Sequence, residues 1–336
     1  MSPLVAAIGE LVRRRDLTSD AMSAAIDVIM DGQATDAQIG AFLAALRSKG
    51  ETATEITAAA QALRRRATRI TPAGKVLDTC GTGGDASGSF NISTTVAFVV
   101  AGAGVPVAKH GNRAVSSTTG SADVLEALGC RVDLTPAQVT AAIDAIGIGF
   151  LFAPTFHGAV RHAAAARGQI GFRSLFNLIG PLCNPAFPAY QVLGVFDPAL
   201  TEALARALGD LGAERAVVVS GEDGFDELSL AGPSRMSELA GGAVTTRTVV
   251  PEDAGLLRAP VEALRGGDAA TNARIIVAVL NGVETGPKRD VVLLNAAAAL
   301  VVAGRAVSLA DGVERAFDAI TSGAAAAKLA ALRAVR

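Results

Sequence analysis

The sequence predicts an α/β protein in which a small all-helical domain precedes a larger α/β domain with a central, mostly parallel sheet. Residues 2–67 show only helical periodicity. From Val76 onward, short apolar runs alternate with helical patterns, as is typical of strands and helices that build a parallel sheet. The chain has 336 residues, which is enough for two domains with a full-sized core.

Helix signals divide the first part of the chain into four amphipathic segments. Thr35 with Gln38 and Thr52 with Glu55 form two capping-box patterns, each just before an apolar run. Residues 71–74 contain Pro and Gly, and we interpret them as the hinge between the domains. An exposed apolar face on this bundle would allow dimerisation, and burial of all its faces in one core is the alternative.

The apolar runs of the second part are interpreted as strands. They are Val76–Leu77, Val105–Ala108, Gly149–Phe152, Gln191–Phe196, Arg215–Val219 and Thr245–Val249. Ligands of such sheets bind at the carboxyl ends of the strands, where the polar motifs of this chain also lie. The tail from Val291 is Ala-rich and helical, and we interpret Asn295 within it as a buried amide with internal hydrogen-bond partners.

A glycine-rich turn after the first strand is suited to phosphate. Its glycines are Gly81, Gly83, Gly84 and Gly88. They allow sharp turns and bring backbone N–H groups close to a ligand. Further donors follow at the predicted start of a helix, namely Asn91, Ser93, Thr94 and Thr95. A helix N-terminus stabilises an anion through its unpaired N–H groups and partial positive charge.

The glycine-rich turn has two other interpretations. Gly81–Ala86 fits the pattern G-x-G-x-x-A of dinucleotide-binding proteins, but the acid expected about twenty residues later is missing. Lys109 and His110 stand there instead, and the Walker phosphate-binding pattern is absent. A purely structural glycine-rich turn with a Ser/Thr cap remains the second alternative.

A basic turn, Lys109–Arg113, closes the second strand and is followed by four hydroxyl side chains, Ser116–Thr119. We place Lys109 nearest the phosphate oxygens, against the alternative of a solvated turn. Ser121 is predicted to cap the next helix, over residues 122–128.

Four acids lie in one loop after the strand at Arg215–Val219. They are Glu222, Asp223, Asp226 and Glu227. Acids this close repel one another unless they are solvated or bind a hard cation, and Mg²⁺ prefers such oxygen ligands together with substrate phosphates. A solvated acidic turn is the alternative.

Composition excludes several classes of protein. With 30 basic and 32 acidic residues, the formal net charge of −2 favours neither nucleic acid nor anionic membranes as partners. The longest apolar stretch, Val96–Ala108, is shorter than the roughly 20 residues that span a bilayer. The N-terminus does not resemble a signal peptide, so a cytoplasmic location is expected. The three cysteines lack metal-ligand spacing and are predicted to be reduced structural residues.

Together these motifs resemble the anthranilate phosphoribosyltransferase family of tryptophan biosynthesis over nearly the whole chain. The matching segments are Gly81–Asp85, Asn91–Thr94, Lys109–Arg113, Gly120–Glu126, Phe176–Leu182 with Asn184–Pro185, and Gly221–Glu227. The resemblance implies that the amine of anthranilate attacks C1 of phosphoribosyl pyrophosphate and displaces pyrophosphate. Such a reaction requires positioning and charge neutralisation more than a protein nucleophile. With only three histidines, the sequence offers no convincing catalytic triad.

The resemblance also implies residue roles. The expected contacts of phosphoribosyl pyrophosphate are Gly81, Gly84, Asp85, Ser89, Asn91, Ile92, Ser93, Thr94, Lys109, His110, Gly111, Asn112, Arg113, Ala114, Val115, Ser116, Ser117 and Ser121. The expected anthranilate contacts are Gly81, Asn112 and Arg167, with Pro154, His157 and Arg173 as neighbours. The expected Mg²⁺ ligands are Ser93, Asp226 and Glu227.

The resemblance further implies a homodimer through the helical domain and a return of the chain to that domain over 165–185. The predicted domains are therefore 1–72 with 165–185, and 73–164 with 186–336.

Three residues depart from the family pattern, all near the expected acceptor pocket. Ala165 replaces a frequent proline, Phe156 replaces a common His or Tyr, and Ser174 replaces the usual Thr. A pyrimidine nucleoside phosphorylase and a nucleic-acid-binding relative without the reaction are the alternatives. The intact Asp226–Glu227 pair and the balanced charge count against the latter.

Overall fold

The computed structural model describes residues 1–83, 87–114 and 118–336. The helices are α1 Pro3–Val12, α2 Ser19–Met30, α3 Asp36–Lys49, α4 Ala53–Arg66, α5 Ile92–Gly102, α6 Ser121–Ala127, α7 Pro136–Ile146, α8 Ala153–Phe156, α9 Ala164–Gln169, α10 Leu175–Ile179, α11 Thr201–Asp210, α12 Ala269–Leu280, α13 Pro287–Val302, α14 Leu309–Thr321 and α15 Ala324–Arg333. The strands are β1 Leu77–Gly81, β2 Val107–Gly111, β3 Ile148–Phe152, β4 Tyr190–Gly194, β5 Arg215–Gly221, β6 Ser234–Ala240 and β7 Ala243–Val249.

Helices α3 and α4 begin where the two capping boxes predict. The Thr35 hydroxyl accepts a hydrogen bond from the Gln38 backbone N–H, and the Gln38 side chain accepts one from the Thr35 N–H at 3.0 Å. Thr52 and Glu55 repeat this arrangement at the start of α4. Each capping box satisfies N–H groups that the helix cannot pair internally, so both predictions are confirmed.

Seven strands form one sheet in the order β3-β2-β1-β4-β5-β6-β7. The first five strands of this order are parallel to one another, whereas β6 and β7 are antiparallel to their neighbours. The predicted mostly parallel sheet is therefore confirmed. Strand β6 was not predicted, because Ser234–Ala240 has no β-branched residue and no continuous apolar run.

The sheet has helices on both faces. One buried cluster joins α5 and α13 to side chains such as Val192 and Val217. Another joins the N-terminal helices to the next residues along the same strands, Leu193 and Val218, which point to the opposite face. The helical bundle therefore has no separate core of its own, because its four helices share theirs with the sheet. Ala166, one of the residues of 165–185, belongs to this core.

The interior polar residues are paired where the sequence suggested it. The Asn295 side chain accepts a hydrogen bond from Leu228 N–H at 2.9 Å and donates to the carbonyl oxygens of Leu228 and Val291. The prediction of a satisfied buried amide is confirmed.

Cys80, Cys130 and Cys183 are all buried free thiols. In the part of the chain that the structure describes, no helix combines the length and apolar character needed to cross a bilayer.

Arg64 near the end of α4 ties the helical bundle to the α/β domain. Its guanidinium is 9% exposed and donates hydrogen bonds to the carbonyl oxygens of Leu182 at 2.6 Å and Leu211 at 2.7 Å. It also lies 4.9 Å from the ring centroid of Phe187. Burial lowers the pKa of Arg64. Three separate segments of the chain therefore meet on one buried cation.

Replacing Arg64 with Met should lower the free energy of unfolding by about 2–4 kcal/mol, because two buried carbonyl groups lose charged donors. The control is Arg65→Met, since Arg65 is half-exposed and its partners Ser23 and Asp27 lie at the surface. That change should stay within about 0.5 kcal/mol. Urea denaturation of the three proteins measures both effects, and equal loss in both variants would contradict the role of Arg64.

Candidate functional site

A cavity of about 1060 Å³ lies at the carboxyl ends of β1 and β2. Its described lining includes these predicted site residues: Gly81, Ser89, Asn91, Ile92, Ser93, Thr94, Lys109, His110, Gly111, Asn112, Arg113, Ala114, Ser121, Arg167, Asp226 and Glu227. The other predicted residues, Gly84, Asp85, Val115, Ser116 and Ser117, lie outside the described residues. The tertiary structure thus brings together residues from four distant parts of the sequence, and their individual roles stay predictions.

Glycines allow the acidic loop, which carries Asp226, to approach the glycine-rich turn after β1. Gly83 has a φ of +67°, and its N–H donates to Asp226 Oδ2 at 2.8 Å. A Cβ atom on Gly81 would lie 2.7 Å from the same oxygen, and one on Gly194 would lie 1.5 Å from the backbone oxygen of Asp226. Since Gly81 and Gly194 are partners in the β1–β4 pairing, the ends of two adjacent strands position Asp226.

The N-terminus of α5 faces the same cavity. Asn91 occupies the N-cap position, but its side chain makes no capping hydrogen bond to α5. The hydroxyl oxygens of Thr82 and Thr94 are buried at the cavity without a hydrogen-bond partner among the described residues. Buried polar groups are normally paired, so these hydroxyls and the helix N-terminus are suited to a polar ligand, and the partial charge of the helix favours an anion.

Lys109 presents a buried positive charge to the cavity. Its side chain is 4% exposed, and Nζ donates to the carbonyl oxygen of Thr79 at 2.5 Å and to Ser93 Oγ at 3.3 Å. Burial lowers the pKa of Lys109, and the nearby acids Asp78 and Glu227 oppose that fall. The lysine therefore has its counter-charges inside the protein, and Ser93 lies within its reach.

Asp78 was not predicted as a site residue. It is fully buried on β1 and accepts hydrogen bonds from Asn184 Nδ2 at 2.8 Å and from the His110 backbone N–H at 3.1 Å. Burial raises its pKa to about 6, while the positive charge of Lys109 acts in the opposite direction. An acid within an apolar strand is the sequence signal that points to such a residue, since buried charges need partners.

The loop after β2 differs from the prediction in two respects. Ser121 is not a cap: Gly120 occupies the N-cap position of α6, and Asp123 accepts the Gly120 N–H at 2.9 Å. The Ser121 hydroxyl instead donates to the Asn112 carbonyl at 3.2 Å and fastens the turn to the helix. Arg113 pairs with Asp123 and Glu126, and the hydrogen bonds to both raise its pKa. The Arg113 charge is therefore paired with two acids of α6.

The other end of the cavity is lined from the helical side. Arg167 lies 5.1 Å from the ring centroid of Phe176, and burial lowers the pKa of Arg167. The rings of His110 and His157 lie 5.1 Å apart, and the Nε2 atoms of both are buried without a hydrogen-bond partner among the described residues. This end combines an arginine, two imidazoles and apolar walls, which suits an aromatic carboxylate.

Arg173 does not belong to the described lining of the cavity, and its place as a neighbour of the acceptor stays a prediction. Its guanidinium instead lies 4.2 Å from the ring centroid of Phe196. The three departures from the family pattern, Phe156, Ala165 and Ser174, are also outside that lining. Ser174 is buried at the N-cap of α10, where its backbone N–H donates to Asn177 Oδ1 at 3.0 Å. The unusual residues therefore do not form the inner surface of the acceptor end.

The predicted metal ligands bring only oxygen donors to the cavity. Asp226, Glu227 and Ser93 all line it, whereas Asp223 accepts hydrogen bonds from Ser229 Oγ and Phe225 N–H in its own loop. The described residues contain no group of three or more His, Cys, Asp or Glu side chains arranged for a metal. The donor set fits Mg²⁺, which commonly completes its shell with water and substrate phosphates.

Two family models match successive parts of the chain. Residues 5–67 match the model described as the helical bundle domain of the glycosyl transferase family. Residues 73–326 match the a/b domain of the same family. The chain is 56% identical to the anthranilate phosphoribosyltransferase of Symbiobacterium thermophilum over 98% of this chain and 96% of that protein. It is 54% identical to the Geobacter sulfurreducens enzyme of the same name, over 96% of each chain.

Similar solved structures come from the same family of enzymes. Anthranilate phosphoribosyltransferase from Thermus thermophilus superimposes with a TM-score of 0.92 and 43% identity, covering 98% of this chain and 99% of that one. The Saccharomyces cerevisiae enzyme in complex with PRPP and Mg has a TM-score of 0.88 and 28% identity, covering 98% and 96%. The similarity therefore extends over both domains.

His157 should make the protein sensitive to acid. Burial lowers its pKa from 6.5 to about 4, so between these pH values the unfolded chain binds a proton that the folded protein excludes, and the stability falls as the pH drops from 6.5 to 4. The lowered pKa corresponds to about 3 kcal/mol. His157→Gln should remove about this much of the difference between the free energies of unfolding at pH 7.5 and pH 4.

The pKa of Asp78 is raised from 3.8 to about 6, so this carboxyl makes the stability fall as the pH rises between these values. Both the wild type and His157→Gln contain Asp78, so its effect cancels when the two proteins are compared. His162→Gln, which removes a histidine outside the pair, is the control. Urea denaturation at both pH values is the measurement, and an unchanged pH dependence in His157→Gln would refute the assignment.

Proposed function

Because this chain belongs to the anthranilate phosphoribosyltransferase family, we propose that it transfers the phosphoribosyl group of phosphoribosyl pyrophosphate to anthranilate. The products are N-(5-phosphoribosyl)anthranilate and pyrophosphate, in the second step of tryptophan synthesis from chorismate. The enzyme is a pentosyltransferase of the glycosyltransferases. The observation that supports this best is the cavity in which Lys109, the glycine-rich turn and the Asp226–Glu227 pair converge.

The reaction forms a bond between the anthranilate nitrogen and C1 of the ribose and breaks the bond from C1 to the pyrophosphate oxygen. The sugar passes through a cationic, oxocarbenium-like state. Pyrophosphate leaves as a stable anion, and the amine loses a proton after attack. The protein therefore contributes by positioning the two substrates and by stabilising the charge that develops on the leaving group.

Phosphoribosyl pyrophosphate is assigned to the end of the cavity between the β1 and β2 loops. The N-terminus of α5, the buried Thr94 hydroxyl and the Lys109 ammonium all meet there. They supply N–H and O–H donors together with positive charge, as a diphosphate requires. Lys109 acts on the charge of the leaving group, and the remaining contacts predicted from the sequence follow the same two loops.

Magnesium would be held by Asp226 and Glu227, with Ser93 contributing from α5. When bound, Mg²⁺ neutralises charge on the diphosphate and so makes pyrophosphate a better leaving group. Asp226 is already positioned by the Gly83 N–H at 2.8 Å. This contact keeps the carboxylate beside the glycine-rich turn.

Anthranilate is assigned to the end of the cavity at Asn112 and Arg167, with Gly81 at its floor. The Arg167 guanidinium offers paired donors for a carboxylate, and the nearby Phe176 ring provides an apolar surface. The departures at Phe156, Ala165 and Ser174 lie outside the described lining, which supports an ordinary acceptor pocket.

The assembly and location of the enzyme follow the same reasoning. We propose a cytoplasmic homodimer that associates through the helical domain, where α1 exposes 37% of Val5 and 70% of Val12. The helical domain would comprise 1–72 with 165–185, and the α/β domain 73–164 with 186–336. The balanced charge supports the expectation of no nucleic-acid partner, and the expectation of no membrane association is kept.

The activity is tested by mixing the protein with phosphoribosyl pyrophosphate, Mg²⁺ and anthranilate and following the loss of anthranilate fluorescence. We expect loss that depends on all three additions, because only N-substitution consumes the fluorophore. No loss above background at micromolar enzyme would refute the function. Release of base from thymidine and phosphate would favour a nucleoside phosphorylase, and salt-dependent DNA retention would favour a nucleic-acid-binding relative.

Lys109→Met should raise the KM for phosphoribosyl pyrophosphate about 10- to 100-fold and leave the KM for anthranilate within about twofold, because it removes one charged donor to phosphate. Lys328→Met is the control, since Lys328 also donates to a backbone carbonyl, that of Ile146 at 2.7 Å, but outside the cavity lining.

Removing Lys109 leaves Asp78 without its cation, so thermal melting checks the fold. Lys109→Met combined with Asp78→Asn removes both charges and serves as the second variant. An equal rise in both KM values would contradict the assigned role of Lys109.

A further inference from the structure

Residues 264–272 form a wall of the cavity that the reaction described above does not yet use. Arg265 pairs with Ser89 in an isolated antiparallel bridge. Phe90 N–H donates to the Leu264 carbonyl at 3.1 Å, and Gly266 N–H donates to the Gly88 carbonyl at 2.9 Å. The segment that leads into α12 is therefore attached to the end of the glycine-rich loop, just before α5 begins.

Asn272, in the first turn of α12, connects this wall to the loop after β1 and to the loop after β2. Its Nδ2 donates to Asn91 Oδ1 at 2.9 Å, and its Oδ1 accepts the Gly267 N–H at 2.8 Å. Asn91 Nδ2 in turn donates to the Thr119 carbonyl at 3.0 Å, and the Thr119 hydroxyl donates to the Gly267 carbonyl at 2.9 Å. Four residues thus form a closed ring of hydrogen bonds.

Two members of the ring are buried, and the backbone packs tightly against one of them. Asn272 is 1% exposed and Thr119 is 7% exposed. A Cβ atom on Gly266 would lie 2.5 Å from Asn272 Oδ1 and 2.7 Å from the Cα atom of Phe90, so the backbone approaches the amide as closely as glycine permits. A buried amide in such a place has one orientation, because any rotation would leave polar groups without partners.

The ring also determines how the Asn91 amide points. A backbone N–H can only donate and a carbonyl can only accept, so Gly267 and Thr119 set the direction of every bond between them. Asn272 must offer its nitrogen to Asn91, and Asn91 must offer its nitrogen to Thr119. The second N–H of Asn91 Nδ2 is not used by these bonds, and Asn91 lines the cavity. The amide is thus held as a donor.

We propose that Asn272 is a positioning residue for phosphoribosyl pyrophosphate. It acts through Asn91, whose N–H it directs at a phosphate oxygen, and it keeps the loops after β1 and β2 at one separation. This inference rests on the proposed function. It explains why Asn91 makes no capping bond to its own helix, since both ends of its amide are bonded across the ring.

Asn272→Asp tests the proposal with almost no change in volume. The aspartate keeps an acceptor for Gly267 N–H but has no donor for Asn91, so the Asn91 amide should turn. We expect the KM for phosphoribosyl pyrophosphate to rise about tenfold or more, with the KM for anthranilate within about twofold. Asn281→Asp is the control at the C-cap of the same helix, because Asn281 is an exposed amide that donates to the Val277 carbonyl.

A double-mutant cycle separates positioning from a general loss of structure. If Asn272 acts through Asn91, Asn272→Asp should have little further effect on the KM for phosphoribosyl pyrophosphate in an Asn91→Ala background. Asn272→Ser, which is too short to reach Asn91, is the second variant if Asn272→Asp melts at a lower temperature than the wild type. Both variants should behave alike in the cycle.

Equal rises in both KM values, or additive effects of the Asn91 and Asn272 changes, would overturn the proposal. Wild-type protein is assayed in the same series. Absence of transfer by the wild type refutes the proposed function itself, whereas an active wild type with unaltered KM values in both Asn272 variants refutes only the role of Asn272.

Discussion

The buried positive charge of Lys109 is the feature on which the site depends. A lysine that is 4% exposed can stay charged only if its surroundings replace the water it has lost. Asp78 provides the counter-charge, and the Thr79 carbonyl and Ser93 hydroxyl accept from the ammonium. Because these partners lie on β1 and α5, the pairing of β1 with β2 places a cation at the phosphate end of the cavity.

Close approach between backbones explains how loops from distant parts of the chain form one cavity. A side chain at Gly81 or Gly194 would collide with Asp226, and one at Gly266 would collide with Asn272 and Phe90. The acidic loop and the wall before α12 therefore lie directly against the glycine-rich turn. This packing gives the polar side chains of three loops a shared geometry before any ligand arrives, as preorganised electrostatic stabilisation requires.

Local signals predicted the fold well, and contacts between distant residues account for the failures. Capping boxes at Thr35 and Thr52 mark helix starts because they depend on residues only three positions apart. Strand β6 escaped prediction because its pairing with β5 and β7 compensates for a composition unfavourable to strands. Ser121 resembled a cap, yet Gly120 and Asp123 already perform that function.

The sequence by itself determined the fold class, all strands of the sheet except β6, the family and the residues that carry its motifs, since all of these are written in local patterns. The tertiary structure alone decided that the charge of Lys109 acts on buried Asp78, that the helical bundle shares its core with the sheet, and that Asn272 reaches Asn91. These contacts join residues far apart in the chain. These contacts depend on strand register and on the space that glycines leave between segments, and neither can be predicted from a local sequence pattern.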